Sequence, residues 1–106
     1  MPYQLRIYTI NRGRMQDFVQ AWRNGVYPLR LAHGFVIPQA WIMAETNQFI
    51  WHIGYEGTEE WEQKEAAYYQ SVARKALYSN PAQWIARAEE HFVDAVPLDG
   101  GCTDSA

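Results

Sequence analysis

Cysteine is nearly absent: Cys102 is the only one in 106 residues. A single thiol excludes an internal disulfide and a thiolate metal cluster. The formal net charge is -3 with no basic stripe, so nucleic acid is not an expected partner. No apolar run approaches the length of a membrane span. The leading Met-Pro-Tyr-Gln-Leu-Arg has neither a basic stretch nor an apolar core, so no signal peptide is expected there. These lacks point to the cytoplasm. The three histidines, His33, His52 and His91, show no ligand spacing such as His-x-x-x-His, so no metal is expected. A Gly-rich phosphate loop, a Gly-x-Ser-x-Gly elbow and a redox cysteine pair are also missing. No cofactor is therefore expected.

What the chain has in quantity is aromatic side chains: 15% of the residues, with five Trp and seven Tyr. Large amphipathic rings suit subunit interfaces and ligand pockets. The length fits one domain with a real core. We place that domain at residues 1–98, and read 99–106, which carries Gly100-Gly-Cys-Thr-Asp-Ser-Ala106, as a disordered tail.

The most informative stretch is Gln48-Phe-Ile-Trp-His-Ile-Gly-Tyr-Glu56. Read as a strand, it places Phe49, Trp51, Ile53 and Tyr55 on one face. Ile50, His52, Gly54 and Glu56 fall on the other. Both faces are largely apolar, whereas a half-solvated strand should alternate apolar with polar. The sheet is therefore expected to be covered on both sides, by its own helices on one and by a second copy of the chain on the other.

The rest of the chain supplies the frame. Strand Tyr3–Ile10 has Tyr3, Leu5, Ile7 and Thr9 on one face, and Gln4, Arg6, Tyr8 and Ile10 on the other. A turn at Asn11-Arg-Gly-Arg14 leads to a helix with its apolar stripe at Met15, Phe18, Val19, Trp22 and Val26. Pro28 should kink or break that helix, which resumes over 29–33 and ends at Gly34. Residues 35–45 read as a second strand, at an edge or bulged because of Pro38. A Thr46-Asn47 turn joins it to the third. A helix capped by Thr58 should run to about Leu77, with an interruption near Gln70-Ser71. Asn80-Pro-Ala-Gln83 reads as the start of a last helix with a stripe of Trp84, Ile85, Ala88 and Phe92, followed by a short strand over 93–98. The fold class is α+β, in the βαββαβ ferredoxin-like order with an antiparallel sheet and helices on one face.

Gln4-Leu-Arg-Ile-Tyr-Thr9, the Gly13 turn and the strand over 47–55 resemble the NIPSNAP family of the dimeric α+β barrel superfamily. So do Ala67-Tyr-Tyr-Gln-Ser71, Arg74-Lys-Ala-Leu77 and Asn80-Pro-Ala82, and the resemblance spans about 3–98. It implies a ferredoxin-like subunit, and a homodimer in which two sheets pack face to face. Superfamily relatives include cofactor-free monooxygenases, cyclases and isomerases, whose ligands commonly sit between sheet and helices. The NIPSNAP branch has no shared established reaction, so the resemblance bears on the fold more than on the activity.

His52 is the sharpest chemical candidate, because a mid-strand histidine beside Gly54 could act as acid or base near neutral pH. The favoured alternative is a core histidine hydrogen-bonded to backbone or to a tyrosine. Gly54 leaves a side-chain gap that could form a pocket wall. Arg6 and Tyr8 share a strand face, and a charge there needs solvent, a partner or a ligand. An ion pair across the dimer is the favoured reading of Arg6. Tyr27, Tyr68, Tyr69 and Arg74 could line a ligand cavity, with Trp22, Trp61 and Trp84 as apolar walls, and Trp51 is a further candidate binding residue. His33 and His91 read as residues of helix ends. Glu59, Glu60, Glu62 and Glu65 read as a solvated acidic face. Two function classes stay open. One is a cofactor-free monooxygenase or isomerase acting on an apolar, aromatic or polyketide-like molecule. The other is a non-catalytic dimeric binding module.

Overall fold

Alternation along the first strand sets the architecture. In a computed structural model describing residues 2–77 and 80–98, β1 (Tyr3–Ile10) buries every second residue, starting at Gln4. β3 (Gln48–Tyr55) buries Phe49, Trp51, Ile53, Gly54 and Tyr55. The two strands pair antiparallel with Arg6 opposite Trp51 and Ile7 opposite Ile50. β2 (Phe35–Met43) flanks β3, and β4 (Ile85–Val93) flanks β1, so the sheet order is β2-β3-β1-β4 with every pair antiparallel. β2 is thus an edge strand, and its register shifts between Val36 and Gln39, around Pro38, which has no donor to give the ladder.

Among the described residues, helices cover one face only. α1 (Met15–Ala21), a π-helical turn (Trp22–Val26) and α2 (Tyr27–Ala32) follow each other without a break. Pro28 does not stop the helix: it follows directly on the π-helical turn, a local widening of the helix, and the chain continues as α2. Phe18 and Trp22 reach the sheet at Phe49, with ring centroids 5.0 and 4.9 Å away. The segment ends at His33, whose Nδ1 lies 3.0 Å from the Leu29 carbonyl, and Gly34 takes φ +88° as the C′ residue. Asn47 closes the β2–β3 turn at φ 54°, and its side chain donates to the Ile10 carbonyl at 2.7 Å.

α3 (Trp61–Gln70) starts after Glu60, with no side-chain cap from Thr58 or any other residue. The expected interruption is present at Ser71: its hydroxyl donates to the Tyr68 carbonyl and accepts from the Arg74 amide, starting α4 (Val72–Lys75).

The C-terminal third departs from expectation. Asn80 does cap, accepting from the Ala82 amide at 3.0 Å, but the element is a single 3-10 turn, Pro81–Trp84. Residues expected in a last helix form β4, and 94–98 are not a strand. The physical reason is β1: its backbone groups opposite β3 need partners, and β4 supplies them from Ile85 to Val93. Tertiary pairing overrides a helix-compatible spacing of Trp84, Ile85, Ala88 and Phe92. His91 therefore stands on a strand, 3.4 Å from Glu89, not at a helix end. Cys102 and the segment 99–106 lie outside the described residues.

Candidate functional site

The buried face of β1 is the unusual one. Parity sends Gln4, Arg6 and Tyr8 toward the helices, while Leu5 and Ile7 face away. Arg6, 1% exposed, lies over Trp51, its guanidinium carbon 5.3 Å from the ring centre. It donates to Gln4 Oε1 at 3.0 Å and pairs with Glu65 of α3 at 3.1 Å and with the half-exposed Glu90 of β4 at 3.6 Å. Its ion pairs are therefore within the chain, where the helix-facing parity of β1 puts them. Burial works against the Arg6 charge. Tyr8, Glu65 and Glu90 outweigh it, and the pKa ends above the usual guanidinium value.

A second buried arginine meets the same carboxylate. Arg30, on α2 and 1% exposed, hydrogen-bonds Glu65 Oε1 through Nη1, and its Nη2 donates to Tyr69 Oη at 3.2 Å. Rings surround it: Tyr68 at 3.8 Å, Phe35 at 4.7 Å and Tyr69 at 5.3 Å from the guanidinium carbon. Glu65 is 17% exposed and serves both cations. It is not part of a solvated acidic face.

Beside this cluster lies a cavity of about 60 Å³ between the sheet and the helices. Tyr8 and Trp51 form its floor, Phe18, Trp22, Val26 and Arg30 one wall, and Tyr68, Tyr69 and Arg74 another. Asn80, Pro81, Ala82 and Ile85 complete it. Five buried side-chain atoms in the described residues have no hydrogen-bond partner: Trp22 Nε1, Trp51 Nε1, Arg30 Nε, Arg74 Nε and Tyr68 Oη. Every one belongs to a residue that lines this cavity. Buried polar atoms are normally satisfied, and each exception needs a reason. Here all five can donate. Burial pushes the hydroxyls of Tyr8 and Tyr68 up, against the pull of Arg6 on the first and of Arg30 and Arg74 on the second. Both stay protonated donors at neutral pH.

The structure brings together Tyr8, Trp51, Tyr69 and Arg74, with Arg6 directly behind. It leaves out Tyr27, whose ring packs on Trp22 at 5.4 Å. His52 and Gly54 belong to different surroundings. His52 points to the sheet face without helices, opposite Leu5 on β1 and Gln39 on β2. The gap at Gly54 is filled by the Tyr3 ring, which a Cβ there would strike, and that ring also packs on His52 with centroids 4.6 Å apart. No pocket wall exists at Gly54. Among the described residues, no group of three His, Cys, Asp or Glu side chains could hold a metal ion, and no helix is long and apolar enough to cross a membrane.

Sequence reasoning missed Arg30, Glu65 and Asn80. A signal for two of them was present. The buried stripe Phe18, Trp22, Val26 extended by four residues lands on Arg30, and Trp61, Glu65 and Tyr68 share one helical face.

No family model matches the chain, and no curated protein does either. Solved structures do. An uncharacterised NIPSNAP domain protein from Burkholderia xenovorans superposes with TM-score 0.75 at 15% identity, covering 98% of this chain and 100% of that one. A NIPSNAP family protein of unknown function from Agrobacterium tumefaciens gives TM-score 0.80 at 11% identity, covering 94% and 92%. The fold is that of NIPSNAP proteins. A structure described as an antibiotic biosynthesis monooxygenase shares it more loosely, with TM-score 0.66 at 11% identity over 92% of this chain and 100% of that one. At identities this low the likeness shows a NIPSNAP-type, ferredoxin-like fold and leaves the chemistry to the residues.

Proposed function

We propose that the chain is a NIPSNAP-like homodimeric domain that binds a small, hydrogen-bond-accepting molecule in the cavity between sheet and helices. The observation that carries this reading is that the five unpaired buried donors of the described residues all belong to side chains lining one cavity. Leaving a buried donor unmade costs about 1–3 kcal/mol, so a ligand bringing acceptors gains several such interactions at once. The aromatic walls suit an apolar or aromatic body. The volume, about 60 Å³, is far below the roughly 300–1,000 Å³ of a drug-sized pocket. It favours a compact ligand over a polyketide-sized one.

The reading of a cofactor-free monooxygenase or isomerase draws support from the monooxygenase-described structure of similar fold. In it the guanidinium of Arg30 and the two indole N–H groups would stabilise a developing enolate. Proton abstraction, however, needs a base, and the described cavity lining holds no carboxylate and no imidazole. Tyr8 and Tyr68, with raised pKa, stay protonated at neutral pH and so are not available as bases. Binding and polarisation are therefore preferred over proton transfer.

Dimerisation draws on the uncovered face. Leu5, Ile7 and Ile50 lie half-buried in its centre, and Trp41 beside them is 47% exposed. A second copy packing there would bury this apolar strip.

The test is a plugged variant. Ala82 lines the cavity and is exposed, so Ala82→Phe should narrow it without disturbing the core. Small neutral amides and ketones that show saturation-transfer signals with the parent should lose them with the variant. Undiminished binding in a folded Ala82→Phe protein would place the site elsewhere.

A further inference from the structure

We infer that the ligand's acceptor group is a carboxylate, making the cavity a receptor for a short-chain monocarboxylic acid. This rests on the cavity reading above and deepens it. The supporting observation is separate from the unpaired donors: it is the charge balance. Three guanidiniums, Arg6, Arg30 and Arg74, stand at or behind the cavity. Two carboxylates answer them, Glu65 and the half-exposed Glu90. Arg6 takes both carboxylates and Arg30 shares Glu65. Arg74 makes no ion pair among the described residues; its side-chain hydrogen bond goes to Asn80 Oδ1 at 3.4 Å. One positive charge is thus left over in a chain whose net charge is -3.

The surplus is also focused. Arg30 and Arg74 both lie against Tyr69, at 5.3 and 5.2 Å from the ring centre, and both against Tyr68, at 3.8 and 5.7 Å. Glu65 answers the charge of Arg30, while Arg74 on the same two rings has no carboxylate among the described residues. Each has an unpaired Nε–H. Together with the two indole N–H groups and the Tyr68 hydroxyl they offer five donors, against about four lone-pair sites on a carboxylate. Indole and guanidinium donors in aromatic walls match a planar anion carrying a short apolar tail. Glu65, with both oxygens held by Arg30, leaves the Arg30 Nε–H for that anion.

The experiment titrates the full chain with propionate, with propionamide as its neutral isostere, and with inorganic phosphate, at constant ionic strength. Binding is read by calorimetry and by the fluorescence of Trp22 and Trp51. Propionate should bind about tenfold or more tightly than propionamide, the ratio a charge-assisted bond supplies. Arg74→Gln should cost propionate about tenfold more affinity than it costs propionamide, with an unaltered circular dichroism spectrum. Equal binding of propionate and propionamide overturns the carboxylate assignment but keeps the cavity as an acceptor site. Phosphate binding more tightly than propionate also overturns it, in favour of a tetrahedral oxyanion. Full propionate affinity in Arg74→Gln also overturns it, because the unpaired charge of Arg74 would then not hold the anion. If none of the three compounds, and no neutral amide or ketone, binds the parent, the cavity reading itself fails.

Discussion

Glu65 accepts from Arg6 and Arg30, and no other described carboxylate pairs with Arg30. Removing it leaves two buried guanidiniums short of a partner. We expect Glu65→Ala to lower the unfolding free energy by about 3 kcal/mol, measured by urea denaturation. Glu62→Ala, on an exposed position of the same helix, should stay within about 0.5 kcal/mol. Equal small effects for both would show that the shared carboxylate is not what holds the two arginines. At Gly54 the expectation concerns a pair. Gly54→Ala should drive the Tyr3 ring off the strand and destabilise, whereas the same change in a Tyr3→Ala background should cost less. Additive effects in that double-mutant cycle would contradict the contact. Tyr8 and Tyr68 give a pH dependence. Their pKa values are raised in the fold. Above pH ~10 the unfolded chain loses these protons while the folded chain keeps them, so stability is full below that pH and falls as pH rises further. Urea midpoints between pH 9 and 11 should show the decline, reduced in Tyr8→Phe. A flat profile would contradict it.

At the scale of elements, the strand–helix–strand–strand–helix order was readable because β1, β3 and α1 carry strong periodic patterns, and because Pro38, Asn47 and Gly34 have local reasons to sit where they do. The last third was not. Ile85, Ala88 and Phe92 satisfy a helical spacing as well as they occupy a strand, and only the unpaired side of β1 decides between them. The candidate site was partly legible for a related reason. Aromatic residues and Arg74 could be placed near the covering helices, but Arg30 required following the stripe through Trp22–Val26. Four-residue steps drift by roughly 40° each on an ideal helix. The wider π turn reduces that drift and keeps Trp22, Val26 and Arg30 on the sheet side. His52 was misplaced because alternation fixes which residues share a face, not which face meets the helices. Ser71 ties an element to the site: it separates α3 from α4 and caps the turn that carries Arg74. Ser71→Ala should cost about 1 kcal/mol, read from the urea midpoint. A neutral result would mean the cap contributes nothing to the fold.

Over the whole molecule, one sheet and one helix layer give a thinnest dimension of 20 Å. Among the described residues no helix lies over Leu5, Ile7, Ile50 and Trp41 on the other face. If two copies meet there, Ile7→Lys places an unpaired charge in the contact. The parent should then scatter light as a dimer at micromolar concentration and the variant as a monomer. Ligand binding should survive, because the cavity lies on the other side of the sheet. A monomeric parent, or a variant that stays dimeric, would remove sheet-to-sheet assembly from the account.

The proposed site lies on the helix side of the sheet and not on the His52 side. The indole N–H resonances separate the two directly, since Trp22 and Trp51 line the cavity and Trp41 stands on the open face beside Ile50. In a spectrum of ¹⁵N-tryptophan-labelled protein titrated with propionate, the Trp22 and Trp51 resonances should move together and saturate while Trp41 stays fixed. Movement of Trp41 alone, with Trp22 and Trp51 unmoved, would contradict it.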